Sequence, residues 1–214
     1  MGQYYKAILL DADKKTPRFH FSAWDFNNGA KLTEHSYIGN TFMGAVEKVI
    51  ADNPMPLVWG GDYADIEEDK GDNLYDLSET MGSGEITPTT LNKKLHIKKE
   101  KLLNKLADFS EHKNRYILNH SKKEYVDKEK CPYWWYGDYK MALHPLSLLT
   151  AEGNERGGGD YKGTNMRLIG SWSRDTISVS NDVPDDFMEI IPNFVESYYK
   201  KSTIVPYPTM AMAL

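Results

Sequence analysis

QYYKAILLDADKKTPRFHFSAW, residues 3–24, holds two aromatic and apolar runs, 3–10 and 18–24, on either side of the turn-forming DADKKTP. Partial alternation flanking such a turn predicts an opening β-hairpin. RYILN (115–119) and KEYVD (123–127) flank a second short turn, and MRLIGSW (166–172) with DTISVS (175–180) makes a third adjacent pair. Strands in neighbouring pairs, with no helix regularly between them, predict an α+β fold with a mostly antiparallel sheet.

Three or so amphipathic helices complete the expectation. TFMGAVEKVIA (41–51) sets Phe42, Val46, Val49 and Ile50 at helical spacing after Asn40 as N-cap, and Asn53-Pro54 ends the pattern. A strand at 56–60 should follow. Thr87-Pro88 opens helical material to about Ser110, with Leu91, Leu95, Leu102, Leu106 and Phe109 on one face and Lys93, Lys94, Lys98, Lys99, Lys101 and Lys105 on the other. Phe187, Ile190, Ile191, Phe194, Val195 and Tyr198 form a third stripe, which Pro192 should kink. LHPLSLLT (143–150) reads as an apolar strand whose Pro145 marks an edge or a start. Residues 62–79 carry eight carboxylates against one lysine, which predicts an exposed acidic loop reaching to residue 86. No Gly/Ser/Pro-rich linker divides the chain, so residues 1–214 read as a single globular domain. The apolar tail from 202 is either a packed arm or a frayed end.

Hydrophobic residues make up 40% of the chain, enough for a core, and the formal net charge of −5 speaks against general DNA or RNA binding. Cys131 is the only cysteine, so no intrachain disulfide can form; it reads as a buried thiol. Without a secretory leader pattern or a membrane-length apolar run, the expected location is cytoplasmic. His20, His35, His96, His112, His120 and His144 lack zinc spacing, and the acidic stretch lacks the glycine placement of a calcium loop. No metal or cofactor is therefore expected.

The most distinctive segment is GNERGGGDYKG (153–163). Consecutive glycines suit a backbone that turns with positive φ or lets a ligand come close. Arg156 offers a fork to phosphate, the amides of Gly157, Gly158 and Gly159 an anion nest, and Asn154 and Asp160 polar groups for a sugar, with Tyr161 beside them. A flexible hairpin fits the same residues. The tripeptide Gly-Asp-Tyr recurs at 61–63, 137–139 and 159–161. Turn chemistry explains it; alternatively, Asp62, Asp138 and Asp160 converge on a ligand. In PYWWYGDY (132–139) adjacent aromatics cannot all face inward on a strand, so Trp134 or Trp135 is a candidate to stack on a base or anchor a partner.

NRYILNHSKKEYV (114–126) and LLTAEGNERGGGDYKG (148–163), followed by LIGSW (168–172), resemble a group of uncharacterised bacterial and phage-borne proteins carrying "NHxKKEYV" and "GNxRGGGDY…GSW" motifs. Here Glu155 replaces the usual small residue, and Ser173-Arg174-Asp175 replaces the group's "AGD". The resemblance implies a shared fold and site, not a reaction. The leading expectation is a non-enzymatic protein holding a nucleotide-like or anionic small ligand at the glycine loop. One alternative is an inhibitor that binds a host protein, with a homodimer through the aromatic patch also open. The other is a hydrolase or transferase at a phosphate or glycosidic bond, with His144 as general acid or base.

Overall fold

The computed structural model describes residues 2–51, 53–94, 114–155, 160–197 and 204–205, with backbone alone at 92–94 and 204–205. Strands β1 (Tyr5–Leu10) and β2 (Pro17–Ser22) form the expected hairpin. Its turn is fixed by the Asp13 carboxylate, which accepts from the amides of Lys15 and Thr16 and from the Thr16 hydroxyl. These bonds, the hydroxyl first, pull the Asp13 carboxyl down to about 2.

Helix α1 (Leu32–His35) is a single turn, and α2 (Thr41–Ala51) has the bounds its spacing predicts, with Asn40 accepting from the amides of Phe42 and Met43. Then follow β3 (Met55–Gly61), α3 (Leu74–Thr80), β4 (Gly84–Glu85), α4 (Pro88–Lys94), β5 (Tyr116–Asn119), β6 (Glu124–Asp127), β7 (Tyr133–Tyr136), β8 (Tyr139–Ala142), α5 (Pro145–Leu149), β9 (Ala151–Glu152), β10 (Thr176–Ser180), β11 (Met188–Glu189) and β12 (Ile204–Val205). The larger sheet has nine strands in the order β11-β6-β5-β10-β3-β1-β2-β4, with β9 also on β3. Its central pairs are antiparallel, whereas β11 on β6, β4 on β2 and β9 on β3 are two-residue parallel pairings. The sheet is thus mixed. β7, β8 and β12 form a separate antiparallel sheet of three strands.

Every side chain of β1 is buried, because both faces of the sheet are covered. Tyr5, Ala7 and Leu9 join the main core with Phe42, Val46, Ile50 and Trp59. Ile8 and Leu10 point the other way, onto Val58, Leu74 and Leu77. That second layer corrects the reading of 62–79 as loop throughout. Asn73 caps α3 by accepting from the Asp76 amide, and Leu74 and Leu77, one turn apart, supply its apolar face. Residues 143–150 are likewise helical: the His144 ring accepts from the Leu146 amide and Pro145 takes the first helical position.

Residues 166–172 form a 3-10 turn at Met166–Leu168 and further turns, not a strand. The 187–197 stripe is extended, with only β11 regular; Pro192 and the left-handed backbone of Asn193 (φ 47°) break any helix there. Tyr198 and the lysine-rich helical face beyond Lys94 lie outside the described residues, as does the tail beyond Val205. No helix among the described residues is long and apolar enough to cross a membrane.

Candidate functional site

The glycine segment is tied at both ends to the start of β1. The Gln3 side chain, fully buried, donates to Asn154 Oδ1 and accepts from the Asn154 amide, both at 3.1 Å. The Tyr5 hydroxyl donates to Asp160 Oδ1 at 3.1 Å. Burial, and after it the Asp160 carboxylate, push the Tyr5 phenol upward, so it stays a neutral donor. Gly153 is required between them: a Cβ there would stand 2.3 Å from Gln3 Oε1 and 2.4 Å from the Tyr5 hydroxyl. Tyr161 is buried, its hydroxyl donating to the Thr164 carbonyl and accepting from the Val195 amide. Arg156, Gly157, Gly158 and Gly159 lie outside the described residues.

Beside this clamp opens a cleft of about 420 Å³. Its walls come from Tyr5, from the 64–67 turn after β3, from β9 and Gly153, and from Ile169 and Arg174. The cleft exists because β3 changes partner along its length: residues 55–56 pair with β10, residues 59–60 with β9. The segment before β10 wedges into the split. The Arg174 amide donates to the Leu57 carbonyl, and the Trp172 amide to the Leu149 carbonyl.

Arg174 organises the polar wall. Its Nε and Nη2 donate to the two oxygens of Glu152 at 2.7 Å each, while Nη1 and Nη2 reach Glu67 at 3.2 and 2.5 Å. Two carboxylates hold the guanidinium from different directions. Asp65 and Glu155 also line the cleft, and among the described residues neither forms an ion pair. The lining is therefore dominated by hydrogen-bond acceptors. Arg174 (φ 61°) and Glu155 (φ 55°) both hold left-handed backbone, which is costly for residues with a Cβ. Among the described residues no group of three or more His, Cys, Asp or Glu is arranged to hold a metal.

The remaining residues singled out in the sequence are dispersed. Asp62 and Asp160 both meet the start of β1, Asp62 by accepting from the Tyr4 amide at 3.0 Å. Asp138 lies in the β7–β8 turn of the other sheet. The three Gly-Asp-Tyr tyrosines share no role: Tyr161 is buried, Tyr63 and Tyr139 exposed. Trp134 is a core residue packed edge-on against Tyr37, so it offers no stacking face; Trp135, Tyr136 and Tyr139 are 55%, 72% and 74% exposed. His144 is fully buried, Nε2 on Glu47 at 2.8 Å and Nδ1 capping α5, and so cannot meet a substrate as general acid or base. Cys131 is half-buried, and burial pushes its thiol up to about 12.

Gln3, Tyr5, Glu67, Glu152 and Arg174 were missed by sequence reasoning. The one local signal was Ser173-Arg174-Asp175, where the sequence departs from the expected motif. The 119–124 and 171–175 segments also touch. Trp172 Nε1 donates to Glu124 Oε2 at 2.7 Å, Asn119 Nδ2 to Asp175 Oδ2 at 2.9 Å, and the Lys122 ammonium to the Ser171 carbonyl. Comparison of the chain with protein-family models, with curated proteins and with solved structures finds no match.

Proposed function

We propose that this is a non-enzymatic binding protein whose cleft takes the hydroxyl-bearing part of a small, nucleotide-like ligand. The observation that carries the reading is the pair of acceptors Asp65 and Glu155 lining the cleft beside Arg174, which Glu67 and Glu152 pin in place, at the foot of the glycine segment. Ionised carboxylates only accept hydrogen bonds, so they select a partner rich in donors, such as a ribose diol. Among the described residues the lining holds no Ser, Thr, Cys or His, but its carboxylates suit cleavage of a glycosidic bond as well as capture of a polyol, so recovery of the ligand intact is part of the test. For a phosphate the sequence offers Arg156 and the amides of Gly157–Gly159, outside the described residues.

A thermal-shift series of nucleosides, nucleotides, nucleotide sugars and free sugars tests this. A ligand at one hundred times its Kd should stabilise the fold by about 2.7 kcal/mol. Asp65→Asn and Glu155→Gln should weaken that shift without lowering the midpoint of the free protein. No shift with any compound at millimolar concentration, or equal shifts in both variants, removes the proposal.

A second reading rests on the β7–β8 hairpin, where Trp135, Tyr136 and Tyr139 project into solvent. Exposed aromatics of this size are common anchors in protein interfaces. Capture of a specific partner, or a concentration-dependent dimer, should be lost on replacing Trp135 and Tyr139 by alanine. An undiminished interaction in that double variant would refute it.

A further inference from the structure

A second cavity, of about 480 Å³, has the opposite polarity. Its apolar lining is Ile38, Cys131 and Ala142. Its charged lining is Arg115, Lys128 and Lys140 against the single carboxylate of Glu129. The carboxylates that hold two of these cations, Asp127 and Glu47, are buried and not part of the lining: Arg115 Nε donates to Asp127 Oδ1 at 3.0 Å, and the Lys128 ammonium pairs with Glu47. Lys140 is different. Its Nζ sits 4.1 Å from the centroid of the Tyr133 ring, and among the described residues no carboxylate lies within ion-pair distance. Asn181 adds to the donor excess. Its Oδ1 already accepts from the Arg115 amide at 3.0 Å, which leaves the NH₂ group for a ligand.

We propose that this cavity is a distinct binding site for a small organic monocarboxylate. The carboxylate head meets Lys140, the Asn181 amide and the one hydrogen on each Arg115 Nη that is not directed at Asp127 or Glu129. A short apolar body lies against Ile38, Ala142 and Cys131. Glu129, which reaches Arg115 Nη1 at 3.1 Å, selects against a dianion such as phosphate, because a second negative charge would face it. This assignment is independent of the acceptor cleft and stands or falls without it.

Cys131, the only cysteine, lines the cavity and reports its occupancy. The high pKa of its thiol makes alkylation slow, so rates are measured at one fixed alkaline pH. The probes are butyrate, benzoate and phenylacetate, each against its neutral amide, with benzylamine as the cationic analogue. A carboxylate at ten times its Kd should slow alkylation about tenfold, in proportion to the free fraction of sites. The amides and benzylamine should leave the rate unchanged. Lys140→Gln, on an exposed side chain, should abolish the protection while the unfolding midpoint stays put; this separates local occupancy from general stabilisation by a ligand bound elsewhere. Absence of protection by all three carboxylates, equal protection by the amides or the amine, or protection that persists in Lys140→Gln would each overturn the proposal.

Discussion

Arg174→Ala separates the ion network at the cleft from the backbone that presents it. The guanidinium is held by four hydrogen bonds to Glu152 and Glu67, with the Arg174, Glu67 and Glu152 side chains 25%, 9% and 26% exposed. Breaking a fully buried pair strands a charge at about 3–5 kcal/mol; water reaching Glu152 lowers the expected loss here to about 2–3 kcal/mol. The backbone contributes separately. At φ 61° a residue with a Cβ sits about 1–2 kcal/mol above its right-handed alternative, a cost glycine escapes. Arg174→Gly loses the same ion pairs but should recover about 1 kcal/mol of that strain, so it should be more stable than Arg174→Ala, the reverse of the usual order. The two glutamates share Arg174 Nη2. With the cation gone their mutual repulsion adds to the loss. Urea unfolding of both variants at pH 7 measures the two effects, provided the m-value is unchanged. A loss below about 1 kcal/mol, or an alanine variant at least as stable as the glycine variant, would refute the argument.

A buried imidazole sets the acid limb of stability. His35 donates from Nδ1 to the Gly29 carbonyl and accepts from Trp59 Nε1 at 2.8 Å, and burial pushes its pKa down to about 4. The unfolded chain then binds a proton near pH 6.5 that the folded protein refuses until about pH 4, so stability is complete above pH 6.5 and falls by about 3 kcal/mol as pH drops to 4. His20, also pushed down by burial, acts in the same direction; a urea midpoint that stays flat over this range would contradict both. Gly170→Ala meets two obstacles, φ of +69° and the Ala151 carbonyl 2.5 Å from the new Cβ, and should cost about 2–4 kcal/mol in the same measurement. An unchanged midpoint would show that the turn before Trp172 yields freely.

The elements legible in the sequence are those whose signals are local. The β1–β2 turn, the Asn40 cap with its apolar stripe, and the β5–β6 hairpin are each specified within about a dozen residues. Where local cues conflicted, the stronger count misled. Eight carboxylates outweighed Leu74 and Leu77, although two leucines one turn apart behind an asparagine cap are enough once Ile8, Leu10 and Val58 wait beneath them. At 187–197 the stripe was helical in spacing, but its side chains pack from extended backbone, Phe194 against Tyr161. The two-residue parallel pairings carry too little pattern to read at all. At the site, the ends of the glycine segment were legible because glycine, asparagine and aspartate declare turn chemistry. Gln3 and Tyr5 were not, since their contacts to Asn154 and Asp160 span more than 150 residues of chain.

Those long-range contacts separate the groups that hold the ends of the glycine segment from the groups that line the cleft. Asn154, Asp160 and Tyr161 are spent on Gln3, Tyr5, Thr164 and Val195; Trp172, Ser171 and Asp175 are spent on the β5–β6 hairpin. Polar groups already engaged in holding the fold are poor candidates for gripping a ligand, because binding would have to replace bonds already made. Glu155 and Asp65 carry no such duty among the described residues, and Arg174 faces the cleft from a fixed position. Lys14, Asn27, Lys123, Asn165 and Asn193 also hold positive φ, but none of them lines the cleft. Left-handed backbone at Glu155 and Arg174 instead borders one cleft. Strain retained at two residues that line the same cleft is expected where the geometry serves a bound partner, and it makes Glu155→Gln the variant in which ligand affinity and fold stability should part most cleanly.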